Sequence, residues 1–305
     1  MTWTFSDINK FTDFLLRGAG ITEPPVDVER LARHLGVDEI VSRRLDREEG
    51  RLQLRDSNAL IVLNTDMSEA RRRFTIAHEI GHLVLADPRF DLAPLCAKRS
   101  FRSEEHFCDR LAEALLMPAS WIVDHYDQLP QGLSTLLDVT SRFGASAAAA
   151  AVRLQRILGW SRSLLRFQLC REEWTLLSVT AWQPEPRATV SATDATRAVL
   201  ERFAVPDSTS RLWLPLSVGD IEWNVGAELW GRSGWALALA DSRLRRPSRR
   251  REEISTPAVP AVHSLKLFYS LDDVDACILA RPSNMEGSDE RCEDNREARR
   301  RLAAA

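Results

Sequence analysis

The chain has 305 residues, of which 44% are hydrophobic and 28% charged, and its formal net charge is -3 at pH 7. This balance is typical of a soluble globular protein of about two domains. No apolar run is long enough for a transmembrane helix, and the N-terminus lacks the pattern of a secretory signal peptide. The weak charge argues against direct nucleic-acid binding, and five scattered cysteines without a C-x-x-C pair are typical of reduced thiols in a cytoplasmic protein.

Two helices and one strand are predicted in the first part of the chain. Apolar residues at helical spacing between Phe5 and Leu16 predict the first helix. The second helix begins after Pro24-Pro25 and stops at Gly36. The short continuous apolar run Ala59–Asn64 predicts a strand, and the rest of the chain up to about residue 56 is expected to be irregular.

A long helix is predicted next, and it contains the most informative segment of the chain. Asp66, with Glu69 three residues on, predicts its N-terminus as a capping box. His78 and His82 are four residues apart, so they share one helical face and can bind one metal ion. Glu79 lies beside the first histidine, where it can deprotonate a metal-activated water. The alternative for these residues alone is a surface helix whose polar groups are merely solvated.

A further helix, predicted from about Ser103 to Met117-Pro118, offers a third ligand. Glu105 shares a helical face with Cys108 and Ala112, so we expect it to face the histidine-bearing helix rather than water. A buried carboxylate needs a cation or hydrogen-bond donors, and a catalytic zinc needs three protein ligands and an open position. The alternative for Glu105 is an ordinary first-turn glutamate that the helix dipole stabilises.

Two shorter helices flank a glycine turn and form a predicted hairpin over residues 134–158. Ser134 and Ser146 are the expected N-caps. The helix-turn-helix form suggests DNA binding, but the second helix is nearly all alanine until Arg153 and Arg156. A role in packing or in docking a protein is therefore favoured.

Tryptophan, β-branched residues and proline or glycine breaks become frequent beyond residue 160. This composition predicts a β-rich domain over residues 160–280, with a recognition role or a sensor role for a small-molecule or signal ligand left open. The Arg-dense stretch Arg243–Arg251 is interpreted as a solvated loop. Residues 281–305 carry charge and little apolar content, which predicts a disordered tail.

The motifs stand in a fixed order along residues 21–159. Thr75-Ile76-Ala77-His78-Glu79-Ile80-Gly81-His82 is followed by Glu105-x-x-Cys108-Asp109-x-x-Ala112-x-x-Leu115-Leu116-Met117-Pro118, with Pro25–Gly36 and Ile61–Asn64 upstream. In this order they resemble the ImmA/IrrE family of metallopeptidases. Asp109 departs from the family, which usually has asparagine there.

The resemblance implies an α+β architecture, in which residues 1–159 form a mostly helical, zincin-like domain with a small sheet. It implies a gluzincin-like site in which His78, His82 and Glu105 are the metal ligands and Glu79 is the general base. The implied cofactor is Zn²⁺, although the same ligands would accept Mn²⁺. The implied substrate is a helix-turn-helix repressor of the XRE type, whose cleavage would derepress stress-response or mobile-element genes.

A hypothesis of a different class is a non-proteolytic regulatory protein with a structural metal site and a ligand-sensing C-terminal domain. Glu79 favours the enzyme, because a structural site needs no base. For the enzyme, we expect the strand Ala59–Leu63 to form the edge of the cleft and to pair with an extended substrate segment.

Overall fold

The computed structural model describes residues 3–4, 7–46, 48–55, 58–96, 103–180, 190–204, 208–218, 221–232 and 234–241. The expected mixture of helices and sheets, with a sheet-rich C-terminal part, is confirmed. The predicted tail over residues 281–305 and the Arg243–Arg251 stretch lie outside the described residues. Among the described helices, none combines the length and the apolarity needed to cross a membrane.

The described residues before 160 form helices around a small sheet. The helices are α1 (Ile8–Gly18), α2 (Val28–Leu35), α3 (Glu69–Ala86), α4 (Ala93–Cys96), α5 (Glu104–Leu116), α6 (Ala119–Tyr126), α7 (Leu133–Phe143) and α8 (Ala147–Leu158). The strands are β1 (Trp3–Thr4), β2 (Val37–Arg43), β3 (Gly50–Arg55), β4 (Asn58–Asn64) and β5 (Phe90–Asp91). β1 and β5 form a short parallel pair, and the other three strands form one sheet in the order β2-β4-β3.

The strand order corrects one expectation from the sequence. β4 contains Ala59–Leu63 and is the central strand, parallel to β2 on one side and antiparallel to β3 on the other. Its backbone is therefore used on both edges, and the expectation that it lines the cleft as an edge strand is wrong. β3 is an edge strand among the described residues. The sequence did not predict β2 and β3, because charged residues such as Glu39 and Arg51 interrupt their apolar alternation.

The N-terminus of α3 differs from the predicted capping box. The N-cap is Ser68 rather than Asp66, and the Ser68 hydroxyl accepts a hydrogen bond from the Arg71 N–H at 3.3 Å. The side chain of Asn64 at the end of β4 donates to the carbonyl of Leu45 at 2.8 Å, which fixes where the strand stops. The four residues after it form the turn, so the helix starts later than the sequence pattern suggests.

Three consecutive arginines at the start of α3 bind three separate elements. The contacts are Arg71 with Glu49, Arg72 with Glu29 on α2, and Arg73 with the carbonyl of Phe143 at the end of α7. A basic run of this kind is usually solvated. Here the three side chains fix the rotation of α3 about its own axis, and therefore the direction in which His78 and His82 point.

The described residues from 162 onward form an antiparallel sheet with one helix packed on it. Its strands are β6 (Arg162–Cys170), β7 (Glu173–Thr180), β8 (Val190–Ala192), β9 (Thr209–Val218), β10 (Ile221–Arg232) and β11 (Trp235–Asp241), in the order β7-β6-β11-β10-β9-β8. Helix α9 (Asp194–Phe203) covers one face through an apolar cluster that includes Leu165, Leu200 and Leu214. The sequence did not predict α9, although Thr193 forms a capping box with Thr196.

The opposite face of this sheet packs on the helices of the N-terminal part. Leu164, Trp230, Leu237 and Leu239 belong to the same apolar cluster as the buried residues of α1 to α8. The two parts therefore share one core across the described residues. The domain boundary near residue 159 stays a prediction.

Arg153 on α8 is buried in this core and is 1% exposed. Its Nε donates to the carbonyl of Met117 at 2.8 Å, and Nη2 donates to Oδ1 of Asn9 at 3.1 Å. Burial lowers the pKa of Arg153 to about 10. The side chain joins α8 to the end of α5 and the start of α1, so it is not accessible for contacts with DNA.

The N-terminus of helix α7 is capped by a residue of the C-terminal sheet. Gly132 is the N-cap residue, whereas the sequence predicted Ser134 in that role, and no local side chain caps the helix. Instead, the Leu133 N–H donates to Oε2 of Glu228 on β10 at 2.7 Å. A Cβ at residue 132 would lie 3.1 Å from that oxygen, so glycine leaves room for the carboxylate. A cap that comes from 95 residues away has no local sequence signal.

We expect Glu228→Ala to lower the free energy of unfolding by about 1 kcal/mol, because the start of α7 loses its acceptor. Denaturant unfolding followed by circular dichroism measures this. Glu222→Ala is the matched control, since Glu222 lies on the same strand and is exposed, and its effect should stay within about 0.5 kcal/mol. If the two substitutions lower the free energy of unfolding equally, Glu228 does not cap α7.

Candidate metal centre

Helices α3 and α5 are in close contact at Gly81. A Cβ at this position would lie 2.9 Å from Cα, Cβ and Sγ of Cys108, well inside the usual carbon–carbon separation of about 3.5–4.0 Å. Cys108 is fully buried. Only glycine therefore lets the two helices approach this closely, and the approach places His78 and His82 opposite the first turns of α5.

Three donor groups converge between these helices. The Nε2 atoms of His78 and His82 are 3.2 Å apart, and the Glu105 carboxylate oxygens lie 3.2 Å and 3.5 Å from them, respectively. A tetrahedral zinc ion with bonds of about 2.0–2.1 Å separates its ligand atoms by about 3.3 Å. The structure thus brings all three residues that the sequence singled out as ligands together at a spacing that fits a zinc ion.

The other nitrogen of each imidazole ring contacts a carboxylate. Nδ1 of His78 lies 2.9 Å from Oδ1 of Asp109, and Nδ1 of His82 lies 3.1 Å from Oε1 of Glu104. Such carboxylates fix the ring orientation and leave Nε2 free to bind a metal. Asp109, which departs from the family pattern, retains an acceptor for His78. Glu104 was missed by the sequence analysis, although its place one residue before Glu105 was a usable signal.

The carboxylates also affect the protonation of His78. Burial by itself would lower the pKa of this imidazole. The hydrogen bond to Asp109, and the negative charges of Asp109, Glu79 and Glu105, outweigh burial and raise the pKa above its ordinary value. The surroundings of His78 therefore favour a positive charge at this position, which either a proton or a metal ion supplies.

Glu79 is 5% exposed and lies between the two histidines, whose charges it senses, and the backbone of Leu52 on β3. Burial raises the pKa of its carboxyl group above the ordinary value, although His78, His82 and the backbone N–H of Leu52 favour the charged form. Leu52 donates a hydrogen bond to the carboxylate. A carboxylate with a raised pKa beside two imidazoles suits a general base.

Cys108 is a fourth group near the histidines. Ligand atoms of His78, His82 and Cys108 all lie within 4.8 Å of one another, so these three also form a possible metal-binding group. Burial raises the pKa of the Cys108 thiol, and the neighbouring carboxylates raise it further. Glu105 differs because 69% of its side chain is exposed. A ligand set of His78, His82 and Glu105 therefore has one side exposed to solvent, whereas a ligand set of His78, His82 and Cys108 lies at the buried contact of α3 with α5.

Residues 27–155 match the family model of the IrrE N-terminal-like domain, Peptidase_M78. No curated protein matches the chain significantly. Among solved structures, the chain is similar to a Mycobacterium tuberculosis transcriptional regulator, with 14% sequence identity and a TM-score of 0.44, over 78% of this chain and 88% of that one.

The two candidate ligand sets differ in the effect of single substitutions. We expect Glu105→Ala to lose stoichiometric zinc, because two imidazoles alone do not complete a catalytic-type site. Cys108→Ala should keep one zinc ion per chain. Elemental analysis after dialysis against buffered zinc measures both. Retention of zinc by Glu105→Ala together with loss in Cys108→Ala would assign the site to the His/His/Cys set.

Proposed function

Because residues 27–155 match the family model of the IrrE N-terminal-like domain, we propose that this chain is a metal-dependent endopeptidase. Zinc is the proposed metal, and manganese is compatible with the same imidazole and carboxylate ligands. The proposed ligands are His78, His82 and Glu105, and the proposed base is Glu79.

The observation that carries the proposal is the combination of a ligand-like donor group with a separate buried carboxylate. The three donor groups lie 3.2–3.5 Å apart, and the Glu79 carboxylate next to them accepts a hydrogen bond from the Leu52 backbone of the sheet. A purely structural site has no need for such a carboxylate. A hydrolase needs one, because water must lose a proton to attack a peptide carbonyl.

The positions of the side chains indicate a role for each of them in peptide hydrolysis. When bound, a divalent metal supplies Lewis acidity that polarises the scissile carbonyl and makes water a better acid. Glu79 accepts the proton of the attacking water at a carboxylate oxygen and then delivers it to the leaving amide nitrogen, which regenerates the carboxylate. Asp109 and Glu104 keep the two imidazole rings in the orientation that ligation requires.

The edge of β3 is the proposed place for the substrate backbone. The Asn64 N–H donates to the carbonyl of Glu49 at 2.8 Å, and in an antiparallel ladder bonded and non-bonded pairs alternate from there. Leu52 and Leu54 lie opposite Ile61 and Ala59 in non-bonded pairs, so their N–H groups face the free edge. Leu52 already donates to Glu79, which leaves Leu54 as the next donor for an extended segment.

The proposed substrate is a helix-turn-helix repressor of the XRE type, as the family resemblance implies, and its cleavage would derepress stress-response or mobile-element genes in the cytoplasm. Strand addition at β3 requires an extended segment. A folded helix cannot supply one, so the cut should fall in a loop or linker of the repressor. A small-molecule or signal ligand for the C-terminal sheet is part of the same proposal.

Cys108 favours a second candidate function. If Cys108 joined the two histidines and Glu105, four protein ligands would close the site, as in structural zinc sites. The chain would then be a non-proteolytic regulator. The exposure of Glu105 and the burial of Cys108 support the open site instead.

The test of the proposed function is incubation of the purified chain and Zn²⁺ or Mn²⁺ with the repressor encoded beside its gene. We expect one discrete pair of fragments by intact-mass spectrometry. Glu79→Gln should bind the metal equally but cleave at least about 10²-fold more slowly, because an amide cannot accept the proton. Cleavage by Glu79→Gln at the wild-type rate would exclude Glu79 as the base.

Pairing along β3 has its own test. Leu54→Pro removes the outward N–H, and proline is tolerated on an edge strand, so we expect a fall in kcat/KM of about fivefold from the loss of a hydrogen bond worth ~1 kcal/mol. Leu54→Ala is the control, because it removes the exposed side chain and keeps the N–H. If both variants show the same kcat/KM, the substrate does not pair at Leu54.

A further inference from the structure

Gly50, the first residue of β3, lies against the metal-bearing helix α3 with no room for a side chain. A Cβ at residue 50 would lie 2.4 Å from Cγ2 of Thr75, 3.3 Å from Cδ2 of Leu63 and 3.3 Å from the carbonyl oxygen of Val62. The usual separation of two carbon atoms is about 3.5–4.0 Å. A side chain at residue 50 would therefore move β3 away from α3 by about 1 Å.

Thr75 is one helical turn before Glu79, so both side chains lie on the face of α3 that is turned toward β3. On the strand, Leu52 follows Gly50 by two residues and therefore presents its backbone to the same edge. The steric contact between Gly50 and Thr75 and the hydrogen bond between Leu52 and Glu79 are thus successive contacts along one strand–helix seam.

A shift of about 1 Å is decisive for a hydrogen bond. A donor and an acceptor about 2.9 Å apart become too distant for a bond when their separation exceeds about 3.5 Å. The Leu52 N–H faces the free edge of the sheet, so Glu79 is its partner within the described residues. The spacing of β3 and α3 therefore decides whether Glu79 is held at all.

We propose that Gly50 is a positioning residue for the catalytic base: its missing side chain lets β3 approach Thr75 closely enough for the Leu52 N–H to hold the Glu79 carboxylate. The role of this contact in catalysis rests on the proposed peptidase function. The placement of Glu79 does not, because it is a property of the strand and the helix alone.

The methyl group of Thr75 is the part of that side chain that limits the spacing. Its hydroxyl is buried and has no hydrogen-bond partner within the described residues, so it does not tie α3 to β3. Removal of the methyl group by Thr75→Ser should make room for a small side chain at residue 50. Thr75→Val keeps the methyl group and should leave the spacing unchanged.

The test measures hydrogen exchange of the Leu52 amide by NMR in the purified full-length chain. In Gly50→Ala we expect exchange at Leu52 to rise by at least about tenfold, since its partner is lost. In Gly50→Ala/Thr75→Ser it should return to within about threefold of the wild type. Glu79→Ala should raise it as much as Gly50→Ala does.

Two controls separate this effect from a general cost of alanine in a strand. Gly226→Ala on β10 adds a Cβ that meets only the Trp213 ring, at 3.7 Å, and should not change exchange at Leu52. Thr75→Val should not change it either. Zinc content should stay at one ion per chain in every Gly50 and Thr75 variant, because the proposed ligands lie on α3 and α5.

In the repressor assay, Gly50→Ala should lower kcat with little change in KM, and the Thr75→Ser partner substitution should restore kcat. Unchanged exchange at Leu52 in Gly50→Ala, or exchange that Thr75→Ser fails to restore, would overturn the proposal. Failure of both Gly50 variants to fold would make residue 50 a determinant of the fold and would also overturn it. If the variants show the expected exchange at Leu52 but the wild-type chain cleaves no repressor, the proposed placement of Glu79 stands and the proposed function is refuted.

Discussion

The contact of α3 with α5 at Gly81 governs the geometry of everything around it. The absent Cβ lets the α3 backbone lie on Cys108, so side chains within about one turn of this contact meet across a short gap. Those side chains are two histidines on α3 and three carboxylates on α5. A larger residue at position 81 would push α3 and α5 apart and so move the donors away from one another.

The charges in this gap are unbalanced without a cation. Glu104, Glu105 and Asp109 approach the imidazoles within 3.5 Å, and the buried Glu79 adds a fourth carboxylate. Carboxylates grouped around the same two rings repel one another unless positive charge lies between them. Protonated histidine supplies some of it, and a divalent ion between the Nε2 atoms supplies more, which is the physical reason for expecting a metal ion.

The rest of the chain holds α3 in place. Its three N-terminal arginines bind α2, the segment before β3 and the end of α7, and β3 lies along the face that carries Thr75 and Glu79. The C-terminal sheet takes part as well, since Glu228 caps α7 at its start while Arg73 binds its end. One helix thus contacts both the sheet and the metal-bearing helix, so the two parts of the chain are joined by polar contacts as well as by their shared core.

The sequence by itself determined the elements whose signals are local. Helical spacing placed His78 and His82 on a common face, and placed Glu105 on the face of its own helix that carries Cys108 and Ala112. The Ser146 cap and the helix start near Ser103 were correct because a cap needs only its own helix. Tertiary structure decided what depends on distant partners: the start of α7 at a residue capped by Glu228, the burial of Arg153, and the ring contacts of Glu104. It also decided that β3 rather than β4 has a free edge, because strand order depends on which strands meet in space. No local pattern of apolar residues encodes that order, and the environment of Glu79 follows from it.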